Sequence, residues 1–196
     1  MTVVLRRSDG GSIELELNRW HGEVDEVEWA MLEGLRGPVL DIGCGPGRIA
    51  AALAQNGCPT LGIDPEPWAA ARARRRGATV LERSVFDPLP GEGRWRSAVL
   101  FDGNIGIGGD PLRLLRRVET LLSSGGHALA EVLAPSVPTE LLTVRVEARG
   151  SKCAGPWFPW AQVSAHDFNL LAHKAGFREQ QVVEMDGRWF GMAVKP

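Results

Sequence analysis

The chain has 196 residues, enough for one α/β domain with a substantial core and short for two. Its 44% hydrophobic and 23% charged content is ordinary for a globular protein, and a formal net charge of −2 argues against a dedicated nucleic-acid binder, which carries a basic excess. No apolar run approaches the roughly 20 residues of a membrane span, and MTVVLRRSDGGS lacks the apolar block of a signal peptide, so a cytoplasmic protein is expected.

Val3 to Leu17 reads as a hairpin: Ile13, Leu15 and Leu17 alternate with polar residues, and Asp9-Gly10-Gly11 supplies the turn. A helix is predicted over Glu23–Leu35, with Val24, Val27, Met31 and Leu35 on one face, ended by Gly37-Pro38. A regular alternation follows, of strands Val39–Ile42, Thr60–Ile63, Thr79–Glu82, Ser97–Phe101 and His127–Val132 with helices Arg48–Gln55, Pro67–Arg76 and Leu112–Leu122. That rhythm indicates a parallel sheet covered on both faces. After Pro135 and Pro138 the rhythm breaks. LLTVRVEAR and WFPWAQV read as added extended pieces, and Ser164 caps a helix that stops at Gly176. Gln180–Met185 and Trp189–Val194 form a final antiparallel hairpin about Asp186-Gly187. The run ARARRR, Ala71–Arg76, reads as a solvated helix face.

The three cysteines, Cys44, Cys58 and Cys153, are odd in number and lack ligand spacing, so no metal is expected. Seven tryptophans stand beside no tyrosine, which removes mechanisms that need a tyrosine acid, base or nucleophile.

The informative stretch is VLDIGCGPGRIAAAL, where a strand bends through Gly43, Gly45 and Gly47 into an alanine-rich helix. Such a turn sets unpaired N–H groups and close backbone beside a ligand. It is not a Walker loop, because no Gly-Lys-Ser/Thr follows, and its third glycine falls one residue early for the dinucleotide fingerprint. Asp64, about 20 residues on, suits the hydroxyls of a ribose, in a dinucleotide or in another nucleoside. Phe86-Asp87 ends the third strand of the alternation, where an aromatic wall and a carboxylate suit an adenine, and the fourth ends in Asp102-Gly103-Asn104. Acidic residues at four successive strand ends fit a positively charged nucleoside better than a pyrophosphate.

These residues resemble the class I S-adenosylmethionine-dependent methyltransferases, over about Val39 to Val132 and again at the terminal hairpin. VLDIGCGPG is similar to that family's first motif, LGIDPEP to its second, SVFDPLP to its third and VLFDG to its fourth. The resemblance implies a Rossmann-like three-layer αβα sandwich, with a seven-stranded, mostly parallel sheet in the order 3-2-1-4-5-7-6 and an antiparallel strand 7. It implies S-adenosyl-L-methionine as cofactor. Gly43, Gly45 and Gly47 would admit its methionine portion, and Asp41 would support the loop or the amino group. Asp64 would take the ribose hydroxyls and Pro65 would lie against the adenine. Asp87 would accept from the adenine amine, beside the backbone N–H of Phe86. Asp41 as a structural group, Phe86 as core and Asp87 as a turn residue stay open as alternatives.

On the acceptor side, Asp102 and His21 are weak candidates for a general base, though Asp102 also suits the cofactor's ammonium. Trp20, His21, Asn104, Trp157 and Trp160 are expected around a small, partly apolar acceptor, the aromatic cluster reading alternatively as core packing, with 1–37 as a lid and an insert at about 135–163 covering the site of the 38–196 domain. Gly103, Gly106, Gly108 and Gly109 read as a floor for that acceptor or as a flexible turn. No Asn/Asp-Pro-Pro-aromatic motif is present, which argues against nucleic-acid bases as acceptors. A monomer or homodimer is expected. An NAD(P)-dependent oxidoreductase and a non-catalytic adenosyl-ligand binder of the same fold are the alternatives.

Overall fold

The computed structural model describes residues 3–148 and 154–196; Cys153 lies outside them. The elements in chain order are β1 (Val3–Arg7), β2 (Ser12–Glu14), α1 (Leu17–His21), α2 (Glu26–Leu32), β3 (Val39–Ile42), α3 (Arg48–Gln55), β4 (Thr60–Ile63), α4 (Pro67–Arg75) and β5 (Val80–Leu81). Then come β6 (Trp95–Leu100), a 3-10 segment (Asn104–Gly109), α5 (Pro111–Leu121), β7 (Leu122–Val132), β8 (Glu140–Ala148), β9 (Phe158–Gln162), α6 (Ala165–Ala175), β10 (Glu179–Met185) and β11 (Arg188–Val194).

Seven strands form one sheet in the order β10-β11-β7-β6-β3-β4-β5. All pairs from β7 to β5 are parallel, while β11 runs antiparallel to both β7 and β10. This is the expected 3-2-1-4-5-7-6 order. Strand alternation sends Leu40 and Ile42 to a core shared with α5 and α6, where Leu114, Leu115, Val118, Leu121 and Phe168 are buried. Val39 belongs to the opposite core, with Ile49 and Leu53 of α3, Met31 and Leu32 of α2, and Val99, Leu129 and Phe190 of the sheet. Asp41 shares the parity of Val39, so a carboxylate is buried on the α3 side.

The helix ends follow their caps. Asp110 accepts from Arg113 N–H at the start of α5, and Ser164 accepts from His166 N–H at the start of α6. Asp25 and Glu28 form a reciprocal capping box on α2. The helix predicted over Glu23–Leu35 is shorter than expected, and the separate turn α1 precedes it. Helix periodicity over five residues is too short to register as a pattern.

A second, antiparallel sheet has the order β2-β1-β8-β9. The N-terminal hairpin and the strands that follow β7 therefore form one structure. β9 lies against the 3-10 segment: a Cβ on Gly106 would collide with the Ala161 carbonyl oxygen and meet Trp160 at 2.9 Å. Gly109 would similarly meet Pro159 at 2.7 Å, and Gly108 the ring of Phe86 at 2.8 Å. The four glycines, read as an acceptor floor or a flexible turn, are in large part a packed turn. Three of them are packed under protein atoms, and only Gly103 faces open space.

Candidate active site

The turn between β3 and α3 forms because all three of its glycines hold positive φ, at 70° for Gly43, 51° for Gly45 and 81° for Gly47. The protein itself accounts for two of them. A Cβ on Gly43 would meet the Asn104 amide at 2.8 Å, and one on Gly47 would meet Ala73 of α4 at 2.6 Å. A Cβ on Gly45 would meet nothing within 4 Å. The middle of the turn therefore opens onto free space while its ends are clamped. Asn104 is one clamp, donating its amide to the carbonyls of Ile42 at 3.0 Å and Gly43 at 2.8 Å.

Asp64 follows β4 and reaches back to the turn. Its Oδ2 accepts from Gly45 N–H and its Oδ1 from Glu66 N–H, both at 2.9 Å. Burial raises its pKa, and the two N–H donors oppose that shift. Asp41 lies deeper, with Oδ2 accepting from Ala50 N–H at 3.1 Å, so it ties β3 to the first turn of α3. Burial, opposed chiefly by Arg48, pushes its pKa up to about 7. Burial also drives the pKa of the neighbouring Cys44 thiol upward.

Beyond β5, Phe86 and Asp87 form a compact turn. Asp87 is exposed and accepts from Ser84 N–H at 3.0 Å, while Phe86 N–H donates to Ser84 Oγ at 3.2 Å. The Phe86 ring is covered by the Arg113 guanidinium at 4.2 Å. Pro65 stands between Asp64 and the exposed Glu66 at the same edge.

Sequence reasoning missed the largest feature of this region. Arg48, the first residue of α3, is 4% exposed and pairs with Glu28, which is 0% exposed. Its other nitrogen pairs with Asp102 at 2.7 Å, and its Nε is buried with no partner among the described residues. Arg19 of α1 joins Glu28 at 2.7 Å, Glu131 at 3.1 Å and Asp102 at 3.4 Å. Arg188 of β11 closes the cluster on Glu131 at 2.9 Å, Asp25 at 2.9 Å and Glu28 at 3.2 Å. Three guanidiniums face four carboxylates across the ends of β6 and β7. Burial raises the Glu131 pKa, against the pull of Arg19. Asp102 itself sits at φ 56°, with its N–H donated to Glu131 at 3.0 Å. Both its charge and its backbone are engaged, unlike those of a free base. The signal for this cluster was Glu28, a carboxylate interleaved among the apolar residues of one helix face.

The remaining expected residues divide. Trp160 packs on Gly106 and stands edge-on to Phe158 at 6.3 Å, and Trp157 is 46% exposed under Arg145 at 4.8 Å. Asn104 lies in the same segment as Gly106. Trp20 and His21 instead give their carbonyls to Arg76, and the His21 ring lies 6.2 Å from Trp68 of α4. Desolvation first, then Arg72 and Arg76, lowers the His21 pKa. His21 and Asp102 are thus held by different partners. Among the described residues no helix is long and apolar enough to cross a membrane, and no group of three His, Cys, Asp or Glu is placed to hold a metal.

A family model described as a methyltransferase domain matches residues 21–182. The ATP synthase C-subunit lysine N-methyltransferase of Rattus norvegicus is 32% identical over 107 residues, covering 51% of this chain and 47% of that protein. The Mus musculus protein of the same name is 32% identical over 107 residues, covering 51% of this chain and 41% of its own. The chain thus spans about half the length of the curated relatives it matches. A Bacteroides fragilis S-adenosylmethionine-dependent methyltransferase, solved with S-adenosylhomocysteine, superimposes with a TM-score of 0.82 at 17% identity, covering 100% of this chain and 89% of that one. The Burkholderia thailandensis 1,6-didemethyltoxoflavin-N1-methyltransferase gives 0.61 at 23% identity, covering 86% and 75%. At those identities the structural likeness establishes the fold. With the motif turn, the strand order and a family match over most of its length, the chain belongs to the class I S-adenosylmethionine-dependent methyltransferases.

Proposed function

We propose that the chain transfers the methyl group of S-adenosyl-L-methionine, in line, to a small-molecule acceptor. The observation that carries the donor assignment is Gly45: a left-handed residue in the middle of the turn, facing space that no protein atom fills. Bound there, the cofactor supplies a sulfonium whose methyl carbon is open to displacement by a nucleophile. The chain's own contribution is alignment, which can lower such a barrier by several kcal/mol.

Gly43, Gly45 and Gly47 shape the seat, and Asp41 holds the helix start beneath it. Asp64 exchanges its bond to Gly45 N–H for the ribose hydroxyls, with Pro65, Phe86 and Asp87 around the adenine. Asp102, held by Arg48 and Arg19, presents negative charge toward the cofactor's ammonium and is a positioning group. The acceptor side is formed by the Asn104–Asp110 loop and the Trp157–Trp160 segment that leads into β9, with residues 1–37 as its cover.

Calorimetry with S-adenosylhomocysteine and NAD tests the donor. S-adenosylhomocysteine alone is expected to bind, and Asp64→Ala to weaken it about tenfold or more while the fold is kept, since charge-assisted hydrogen bonds are worth roughly 1.5–3 kcal/mol. Unchanged affinity in that variant would falsify the assignment. A labelled-methyl screen against metabolites then separates turnover from ligand binding alone, and Trp160→Ala is expected to raise the acceptor KM with cofactor affinity within about threefold. A second acceptor class, a lysine of a protein, is favoured by the name of the 32% identical relatives. Label appearing in protein rather than in metabolites would select it.

A further inference from the structure

Arg72, Arg75 and Arg76, at the end of α4, meet His21 of α1 and Pro46 of the glycine turn around a cleft of about 370 Å³. Arg74 belongs to the same basic run but turns away to pair with Glu82 at 2.7 Å. Arg76 is anchored by the carbonyls of Trp20, His21 and Gly22, with the exposed Glu23 carboxylate at 3.6 Å. Arg72 lies over Trp68 at 6.0 Å, and Arg75 reaches only the Ala71 carbonyl at 3.3 Å. Neither of these two has a carboxylate partner among the described residues.

Three arginines therefore line one concavity, and among the described residues Glu23 is the one carboxylate paired with any of them. Each carries a full positive charge on a planar guanidinium. Their mutual repulsion is relieved by an anion, and planar forks of donors match phosphate oxygens in particular. His21 completes the wall, with its proton disfavoured first by desolvation and then by Arg72 and Arg76. Neither Gly45 nor Asp64 lines the cleft, so its lining differs from the proposed donor seat.

We propose that this cleft is a binding site for a small anion of the phosphate class, next to the donor seat and separate from it. The test is calorimetric titration of the full chain, saturated with S-adenosylhomocysteine, with sodium pyrophosphate, alongside NMR of the His21 ring. Pyrophosphate is expected to bind in the millimolar range or tighter, to move the His21 resonances, and to leave S-adenosylhomocysteine affinity within twofold. The double variant Arg72→Gln/Arg75→Gln, both exposed positions, should weaken pyrophosphate at least tenfold. Arg74→Gln should change it less than twofold.

The proposal is overturned if pyrophosphate gives neither heat nor a His21 shift, or if it displaces S-adenosylhomocysteine. It is also overturned if Arg74→Gln weakens binding as much as the double variant, because then only general charge is acting. Much tighter binding of a single-stranded RNA, with the same arginine dependence, would make the cleft part of a polymer surface and overturn it too. If S-adenosylhomocysteine itself does not bind, the donor assignment fails, and the same titration on the free chain still decides the anion site.

Discussion

The two sheets touch at the 3-10 segment, yet they are put together from very different distances along the chain. In the large sheet, β3 pairs with β4 through Val39 and Thr60, and β4 pairs with β5 through Gly62 and Val80. Its functional turn lies wholly within one strand–helix unit. In the small sheet Val3 pairs with Ala148 and Arg7 with Val144, so the N-terminal hairpin is completed only by residues beyond the fifth parallel strand. The donor side is thus a local construction and the acceptor side a long-range one. Damage to one should be separable from damage to the other, except at the Arg19–Arg48–Arg188 cluster, which ties α1 of the N-terminal segment to α3, β7 and β11.

Arg48→Ala tests that joint and has the largest expected effect. It strands the fully buried Glu28 beside one fewer guanidinium, and breaking a buried ion pair costs roughly 3–5 kcal/mol. Denaturant unfolding should show the loss, and both sheets should weaken together. A drop under about 1 kcal/mol would mean the cluster is decoration on an already rigid frame.

Gly45→Val comes next and should strike the donor side alone. Its Cβ meets no protein atom within 4 Å, so the side chain projects into the free space over the turn and strains a φ of 51°. Affinity for S-adenosylhomocysteine should fall by about a hundredfold, near 3 kcal/mol. Normal binding by a folded variant would move the donor elsewhere.

Asp41→Asn has a pH signature. With a folded pKa of about 7 against an ordinary value of 3.8, the folded chain keeps a proton that the unfolded chain gives up. Stability from this site is therefore present at low pH and falls as pH rises from about 4 to about 7. The asparagine variant should lack that decline, by on the order of 2 kcal/mol in the difference between pH 5 and pH 8. Parallel stability curves for the two proteins would contradict it.

Gly106→Ala is the smallest perturbation and should strike the acceptor side. Its methyl group collides with the Ala161 carbonyl, and overpacking costs about 1–3 kcal/mol. The thermal midpoint should fall while S-adenosylhomocysteine affinity stays within about threefold. Equal loss of cofactor binding would show that the two sheets do not act separately.

The same contrast between local and long-range construction decides which parts of the molecule are legible in its sequence. The turn at Gly43–Gly47, the parallel alternation and the Asp186-Gly187 hairpin are short-range patterns, and each appears where its residues predict. The cluster of Arg19, Glu28, Arg48, Asp102, Glu131 and Arg188 has no such pattern, because its members lie on α1, α2, α3, β7, β11 and the loop after β6. Arg48 reads as no more than the residue after the third glycine. ARARRR reads as a uniform solvated face, whereas only tertiary placement shows Arg74 leaving for Glu82 and its neighbours lining a cleft. The glycines at 106 and 109 look like room for a substrate because their partners in β9 come some 50 residues later.

The closure of the charged cluster by Arg188 has a consequence for biogenesis. A chain made from its N-terminus emerges with Glu28 and Arg48 early, Glu131 later, and Arg188 only near the end. Until β11 arrives, the carboxylates of Asp25, Glu28 and Glu131 lack the guanidinium that finally spans them. Pairings so distant in sequence are slow to form, and partly assembled sheets expose edges. The nascent glycine turn can therefore form well before the cluster beside it is closed, and ribosome-bound chains halted just short of residue 188 should be the ones most open to protease.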